Sequence, residues 1–431
     1  VIQVRVVCVL LIFLSFVSFR SVPRILDILQ RSFPKEKIWI PHFTSVINWS
    51  LRVGLARLKN VTSAPFRWIA IVDHSIDLGL KKALVILRVP LDVFERRSGA
   101  LTLSDVECIG IEVAEKWDAA AVCQSLKDCF EKSGAPCAIL KDGGTDLRAG
   151  IALLKADDKY SHLRTIDDIG HVCANALKAS FSKRRMFNSF IHTIKCAGAR
   201  LRQTELSFLL PPKIRTKGRF QGITRIARWA QKILRCLSGT GCKAEGTLAR
   251  RLQDFLPPLA PHRLFLEKFI STAEKIEQFL AAVKNKGLNQ ETFQACAVLL
   301  AQMPKHSQVR KRLHAWLRKT QRTQCFLSMG QTPLPVSSDV IESLMGKIKS
   351  LLERHPRGEF TRILLATPCM CGKLDEESIL ASLMSVSHRD LQKWTTEHIP
   401  KTDAQKRIEF RTLYRSDKVP KAGIIEVSQV G

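Results

Sequence analysis

RWIAIVD, residues 67–73, is followed within ten residues by ALVILRV, residues 83–89. Each run is short, apolar and rich in β-branched residues, so each reads as a strand and not as a helix. Between them His74–Lys82 carries Asp77 and Gly79, a turn signal, and the pair reads as an antiparallel hairpin with Asp77 in its turn. The first strand ends in an acid, Asp73.

Beyond the hairpin, Val106–Ile111 reads as a third strand. A helix is expected over Val113–Lys132, stopped by Gly134 and Pro136. Cys137–Asp142 (CAILKD) is a fourth strand, again ending in an acid, and Gly143-Gly144 turns the chain. A short helix over Asp146–Leu154, a fifth strand over His162–Ile166 and an amphipathic helix over Asp168–Phe181 complete the run. A hairpin plus a third strand, followed by two α-β crossovers, describes a mixed five-stranded sheet with helices on its faces. The fold class is therefore α/β, with the layout of a ribonuclease H-like fold.

From Lys183 to about Gln331 no strand pattern appears, and prolines at 211–212, 257–258 and 304 break apolar runs of helical spacing. This is expected to be a large all-α insertion in the sheet domain. Its charge is lopsided: Lys183–Arg235 holds 14 Lys or Arg and one acid, Glu205, and Lys305–Arg322 holds seven basic residues and no acid. Ordinary surfaces mix both signs. Arg184, Arg185, Arg200, Arg202, Arg215, Lys217, Arg219, Arg225 and Arg228 are therefore candidate contacts to a polyanion. After the insertion, SSDVIESLMGKIKSLLERH (337–355) reads as a helix capped by Ser337, Ser338 or Asp339, with Ile341, Leu344, Ile348 and Leu351 on its buried face. Past Pro356, one amphipathic region covers Ser378–Trp394 before a basic tail.

Before the hairpin the chain reads as all helical. Val6–Phe19 is a 14-residue apolar run between Arg5 and Arg20, short of the about 20 residues a spanning helix needs. It is expected to be a buried helix, with a signal peptide or membrane anchor as the alternatives. Ser21–Phe33 and His42–Leu58 follow as helices. The second carries Arg52 and Arg57, with Lys59 just beyond it, so the pair suggests a helix-turn-helix; a plain helical bundle is the alternative. The expected division is 1–62 as an N-terminal helical DNA-binding module, 63–182 as the first part of the core, 183–333 as the basic insertion, 334–365 as the completion of the core, and 366–431 as a helical tail.

The chain has 431 residues, with 45% apolar, 68 Lys or Arg against 39 Asp or Glu, and a net charge of +29. So large an imbalance destabilises a fold by self-repulsion and points to a polyanionic partner, nucleic acid before membrane. A disulfide-stapled mini-domain, a collagen and an acidic activation segment are excluded. The thirteen cysteines are scattered in apolar runs and read as reduced, buried thiols. Cys369 and Cys371 lack the second pair that a zinc site normally uses. Gly346-Lys347 is preceded by Ile341 where a phosphate-binding loop needs glycine, and neither G-x-S-x-G nor H-E-x-x-H occurs.

Three acids stand out by position. Asp73 and Asp142 end the first and fourth strands, neighbours at the centre of such a sheet, and a helix returning across that edge can bring Glu342 to the same point. Three convergent carboxylates need cations, and hard divalent ions with oxygen preference fit, Mg²⁺ before Mn²⁺. Two ions could clamp a scissile phosphate. Asp168 and His171, just past the fifth strand, are candidates for supporting residues or phosphate contacts, with Asp168 as a helix N-cap the alternative. Lys347 and Lys349 follow Glu342 by one and two turns, where they could hold a DNA phosphate.

RWIAIVDHSIDLG (67–79), CAILKDGGTDL (137–147) and SSDVIESLMGKIKS (337–350) resemble, in this order, the three acidic motifs of DDE transposases from bacterial insertion sequences. IDDIGHVCANALK (166–178) resembles the segment after the second acid in several of them. SFRSVPRILDIL (18–29) and FTSVINWSLRVGLARL (43–58) also resemble their N-terminal region. The resemblance covers most of residues 10–350. It implies that Asp73, Asp142 and Glu342 are the catalytic, metal-binding triad. It also implies Mg²⁺-dependent phosphodiester hydrolysis at transposon ends in double-stranded DNA, followed by strand transfer into target DNA. Asp142 and Glu342 are 200 residues apart, and families with an insertion at this point are known. In one group a Tyr, an Arg and a Lys surround the third acid. Lys349 matches that Lys, whereas Pro335 and Ser338 stand at the Tyr and Arg positions. The implied setting is cytoplasmic and nucleoid-associated, with a homodimer in the synaptic complex and no membrane. The alternatives are a decayed or repurposed copy that binds DNA without catalysis, and a basic protein tethered to a membrane through residues 6–19.

Overall fold

The computed structural model describes residues 2–35, 37–78, 81–97, 99–213, 219–237, 248–256, 259–328, 331–352, 361–401 and 403–415. Gly79, Arg215, Lys217, Pro257, Pro258, Glu353, Arg354, His355, Pro356 and the end of the basic tail lie outside them. Three helices come first: α1 (Ile2–Phe13), α2 (Ser21–Ser32) and α3 (Phe43–Lys59). The hairpin is β1 (Trp68–Leu78) and β2 (Lys81–Pro90), followed by β3 (Glu107–Ala114), α4 (Ala119–Ser133), β4 (Ala138–Lys141), α5 (Thr145–Lys155), β5 (Arg164–Asp167) and α6 (Ile169–Phe181). The strands form one sheet in the order β3-β2-β1-β4-β5. Only β2 runs against the others: it is antiparallel to β1 and β3, while β1, β4 and β5 are mutually parallel. That is the ribonuclease H-like sheet expected from the order of elements.

Several boundaries differ from the expectation, and two of them bear on the site. β1 does not stop at Asp73 but continues to Leu78, because β2 keeps pairing with it up to Lys81, across an irregularity between His74 and Ile76. The helix expected from Val113 begins only at Ala119. Val113 is held in β3 by pairing with Ala83, and Asp118 caps the helix by accepting from the Ala121 N–H at 2.9 Å. Trp117 therefore sits in the loop, where its Nε1–H donates to the Lys82 carbonyl at 3.0 Å.

Alternation along β1 assigns the two faces of the sheet. Ile69 and Ile71 join the larger apolar cluster, together with Ala138, Leu140 and Ile166. Trp68, Ala70 and Val72 face the other way and pack under α4 and α5 with Val122, Leu126 and Leu147. Gly150 of α5 allows that layer to close, since a Cβ there would lie 2.5 Å from the Val122 Cβ.

The insertion is helical: α7 (Arg185–Leu201), α8 (Arg219–Leu237), α9 (Leu248–Phe255), α10 (Arg263–Lys284), α11 (Gln290–Ala301) and α12 (Gln308–Ser328). A single bridge between Leu288 and Leu334 ties its base shut. α12 packs along α6 and reaches β5, where the Trp316 Nε1–H donates to the Asp167 carbonyl at 2.8 Å. α13 (Asp339–Leu352) then crosses β1, burying Ile341, Leu344 and Ile348. The expected single C-terminal region is two helices, α14 (Glu376–Ser385) and α15 (His388–His398), followed by α16 (Asp403–Arg415). The break is the Ser387/Asp390 capping box.

The N-terminal helices share this core. α3 buries Val46, Trp49, Leu51, Val53 and Leu55 against α14 and the 3-10 turns at Arg362–Ala366 and Pro368–Met370. Its basic residues meet the C-terminal segment. Arg52 Nε donates to the Val386 carbonyl at 2.6 Å, Arg57 donates to the Lys373 and Cys371 carbonyls at 3.0 and 2.9 Å, and Lys59 lies 3.4 Å from Asp390. Of the expected helix Val6–Phe19 only the first eight residues are helical: α1 starts earlier, at Ile2, ends at Phe13, and buries Val6, Cys8, Val9, Ile12 and Phe13, while residues 14–19 follow as turn and coil. Among the described residues no helix is long and apolar enough to cross a membrane, and the twelve cysteines among them are free.

Candidate active site

Register brings the acids together. Val72 of β1 pairs with Lys141 of β4, and Lys141 pairs with Asp167 of β5. The next residue on each chain is therefore an acid in one row: Asp73, Asp142, Asp168. Neighbouring strands are about 4.8 Å apart, so the row crosses β1 at its middle and passes the carboxyl ends of β4 and β5, the edge at which open α/β sheets usually bind ligands. Asp73 stands two residues beyond Ile71 and shares its face of the sheet, the face over which α13 carries Glu342.

The electrostatics reflect this crowding. Asp73 is 8% exposed. Burial first, and then repulsion from Asp142, Glu342 and Asp168, push its carboxyl up to about 7, against an opposing pull from His171. Asp142 is held by its own turn, with Oδ1 accepting from the Gly144 N–H at 2.6 Å. Gly144 is needed there, because a Cβ would lie 2.9 Å from that oxygen.

Asp168, 2% exposed, has a different role from the other two. It caps α6, with Oδ2 accepting from the His171 N–H at 2.8 Å and lying 3.1 Å from His171 Nδ1. Its Oδ1 accepts from the Ser338 N–H at 2.7 Å. Burial pushes this carboxyl up, but the His171 and Ser338 hydrogen bonds outweigh it and hold the group below the usual carboxylate range. The bond to Asp168, against burial, lifts His171 to about 9, with Asp142 and Asp73 adding to the lift. His171 is thus a cation at neutral pH, set among carboxylates.

Ser338 immediately precedes α13, so Asp168 fixes the start of the helix that carries Glu342. Asp339, the first residue of α13, pairs with Lys284 of α10 at 2.5 Å, which ties the same turn to the insertion. Glu342 is exposed at the residue level. Its carboxyl is still raised, by burial first and then by Asp339, with His171 and Lys284 opposing.

The donor set is all carboxylate, the type that suits a hard divalent cation. Yet among the described residues no three His, Cys, Asp or Glu side chains come close enough to hold a metal ion. Asp73, Asp142 and Glu342 interact electrostatically but do not form a closed coordination shell.

The candidate DNA contacts fall into different surroundings. Arg185, Arg200, Arg202, Arg225 and Lys349 are exposed. Arg184 lies over the Phe181 ring and donates to the Ser180 carbonyl, and Arg228 pairs with Glu277 at 2.6 Å. Lys347 lies 4.5 Å from the centre of the Phe16 ring, which draws it toward the end of α1. Arg219 opens α8.

Sequence reading missed Lys141 and Lys319, which hold Asp167 from both sides at 2.7 and 2.8 Å. Burial pushes the Asp167 carboxyl up, and these two bonds bring it below the ordinary range. The only signal for Lys141 was a lysine inside an otherwise apolar strand.

No protein-family model matches the sequence, and no curated protein matches it either. Among solved structures, the chain is similar to one described as "Drosophila P element transposase strand transfer complex", at 11% identity and a TM-score of 0.48, over 86% of this chain and 91% of that one. At that identity the likeness says nothing of activity.

Proposed function

We propose that this chain is a DNA transposase, a phosphoryl-transfer enzyme that uses divalent metal ions held by Asp73, Asp142 and Glu342, with Mg²⁺ as the ion and Mn²⁺ as a substitute. The observation that supports it is the strand register, which sets Asp73 of β1 beside Asp142, the residue after β4, while α13 packs on β1. A pair of such ions, when bound, supplies activation of the attacking oxygen and neutralisation of the leaving one.

The protein's own residues do the rest. The burial of Asp73 keeps water from competing for its carboxylate. The turn at Gly144 orients Asp142. Asp168, through Ser338, sets where Glu342 enters. His171 offsets the repulsion among the acids. In this reading residues 63–182 and 334–365 do the chemistry, residues 1–62 and the basic helices of 183–333 grip the double-stranded ends, and two copies synapse them in a homodimer.

One observation favours a second reading, a DNA-binding protein without catalysis: no three acids reach ligating distance among the described residues. Asp142→Ala separates the two. On linear duplex carrying the ends of the element that encodes the chain, the wild type should cleave in Mg²⁺. The variant should lose about a hundredfold or more, since metal-held charge is worth several kcal/mol in the transition state, and should bind as the wild type does. A wild type that binds but never cleaves supports the second reading.

A further inference from the structure

Beside the row of acids a cleft of about 720 Å³ opens between α5, α6 and α12. It begins at Gly143, the residue after Asp142, and runs past His171 and Asn175. Its walls are basic. α5 contributes Arg148 and Lys155, and α12 contributes Arg312 and Lys319. Both pairs have i, i+7 spacing, so each repeats on one face of its helix after two turns, about 10 Å apart. The two carboxylates in the cleft are already engaged, Asp167 by Lys141 and Lys319, and Asp168 by His171 and Ser338. Among the described residues no carboxylate is within ion-pair distance of Arg148, Lys155 or Arg312.

We infer that this cleft is a binding site for the phosphodiester backbone of one nucleic-acid strand, which it would lead from Gly143 away from the acids, with Arg148, Lys155 and Arg312 on its phosphates. A compact site for one phosphate would converge its cations on a point. Here they line two walls for about 10 Å, the axial length of about three nucleotides of one strand. Trp316 and Asp167 brace the floor, through the bond from the Trp316 Nε1–H and the paired lysines. None of these three cations is among those that the sequence suggested for DNA. The inference rests on the reading that the chain acts on DNA, and adds where a strand would lie.

The test is the binding of a fluorescein-labelled 30-base-pair duplex by the full chain, followed by anisotropy over a salt series. Removing three phosphate contacts in Arg148→Ala/Lys155→Ala/Arg312→Ala should lower the slope of log affinity against log salt by about 3 and weaken binding about tenfold at moderate salt. A variant with the same charge loss outside the cleft and outside residues 1–62 and 183–333, Lys373→Ala/Arg389→Ala/Lys393→Ala, all exposed, should keep the wild-type slope. An unchanged slope in the cleft variant overturns the inference, as does an equal fall in both variants. Release of the duplex by micromolar nucleoside triphosphate would put a mononucleotide in the cleft and also overturn it. Failure of the catalytic reading shows up separately, as no Mg²⁺-dependent cleavage by a wild type whose slope still depends on the cleft. A wild type with no affinity for duplex overturns both.

Discussion

At Asp73 the folded chain holds a carboxyl group where burial, Asp142, Glu342 and Asp168 all favour the neutral form. An unfolded aspartate titrates near about 3.9, and this one near about 7. Between those two values the folded state keeps a proton that the unfolded chain has lost, so this group makes stability fall as pH rises from about 4 to about 7, with no further loss above. Asp73→Asn removes the charge and keeps the shape. Thermal unfolding in the absence of divalent ions should show the variant more stable than the wild type at pH 8 and equal to it near pH 4. Equal stability at both values would mean that the carboxylate is neither crowded nor desolvated. Asp73 and Asp142 were legible in sequence because each ends a short apolar run. Asp168 was legible too, and its N-cap alternative describes a bond the structure contains, from the His171 N–H to Oδ2. Its second bond, to Ser338, joins residues 170 positions apart, and no local pattern carries that.

At the scale of elements, the sheet order followed from strand-length runs and their connections. Boundaries were less legible, because pairing decided them: Val113 has a helical neighbourhood in sequence but a strand partner in space. α3 shows a tight contact of another kind. A Cβ at Gly54 would overlap the Leu365 carbonyl oxygen, so the helix lies directly against the backbone of the 3-10 turn after α13. Glycine here serves close approach, since the obstacle is backbone and has little room to yield. Gly54→Ala should cost about 1–3 kcal/mol or more by overpacking, read as a lower denaturation midpoint. Gly222→Ala is the control, because a Cβ there meets nothing within 4 Å, and it should leave the midpoint within about 0.5 kcal/mol of the wild type or above it. Equal effects of the two substitutions would mean that α3 does not sit on that turn. The cleft between α5 and α12 was invisible in sequence for a related reason. Arg148 and Arg312 are separated by most of the insertion, and only its packing against α6 and β5 sets them on facing walls.

For the whole molecule, a net charge of +29 sits on a fold whose ion pairs are mostly at the surface. Self-repulsion of that size is screened by salt over about 10 Å at 0.1 M. Raising NaCl from about 0.05 to 0.5 M should therefore raise the melting temperature of the protein alone, whereas a chain stabilised mainly by surface pairs would melt earlier. The charge pointed to a polyanion from sequence alone. Where it lies could not be read there, because Arg52, Arg57 and Arg228 are held by protein partners, while Arg148 reaches only the Gly143 carbonyl, at 3.5 Å, and Arg312 has no carboxylate within ion-pair distance among the described residues. Whether Asp73, Asp142 and Glu342 hold metal together is answered by anomalous diffraction at the manganese edge from crystals grown with Mn²⁺. Manganese is expected on Asp73 and Asp142, with Glu342 drawn in as a further ligand. Crystals with no manganese at Asp73 and Asp142, or with it only at other carboxylates, would contradict this expectation.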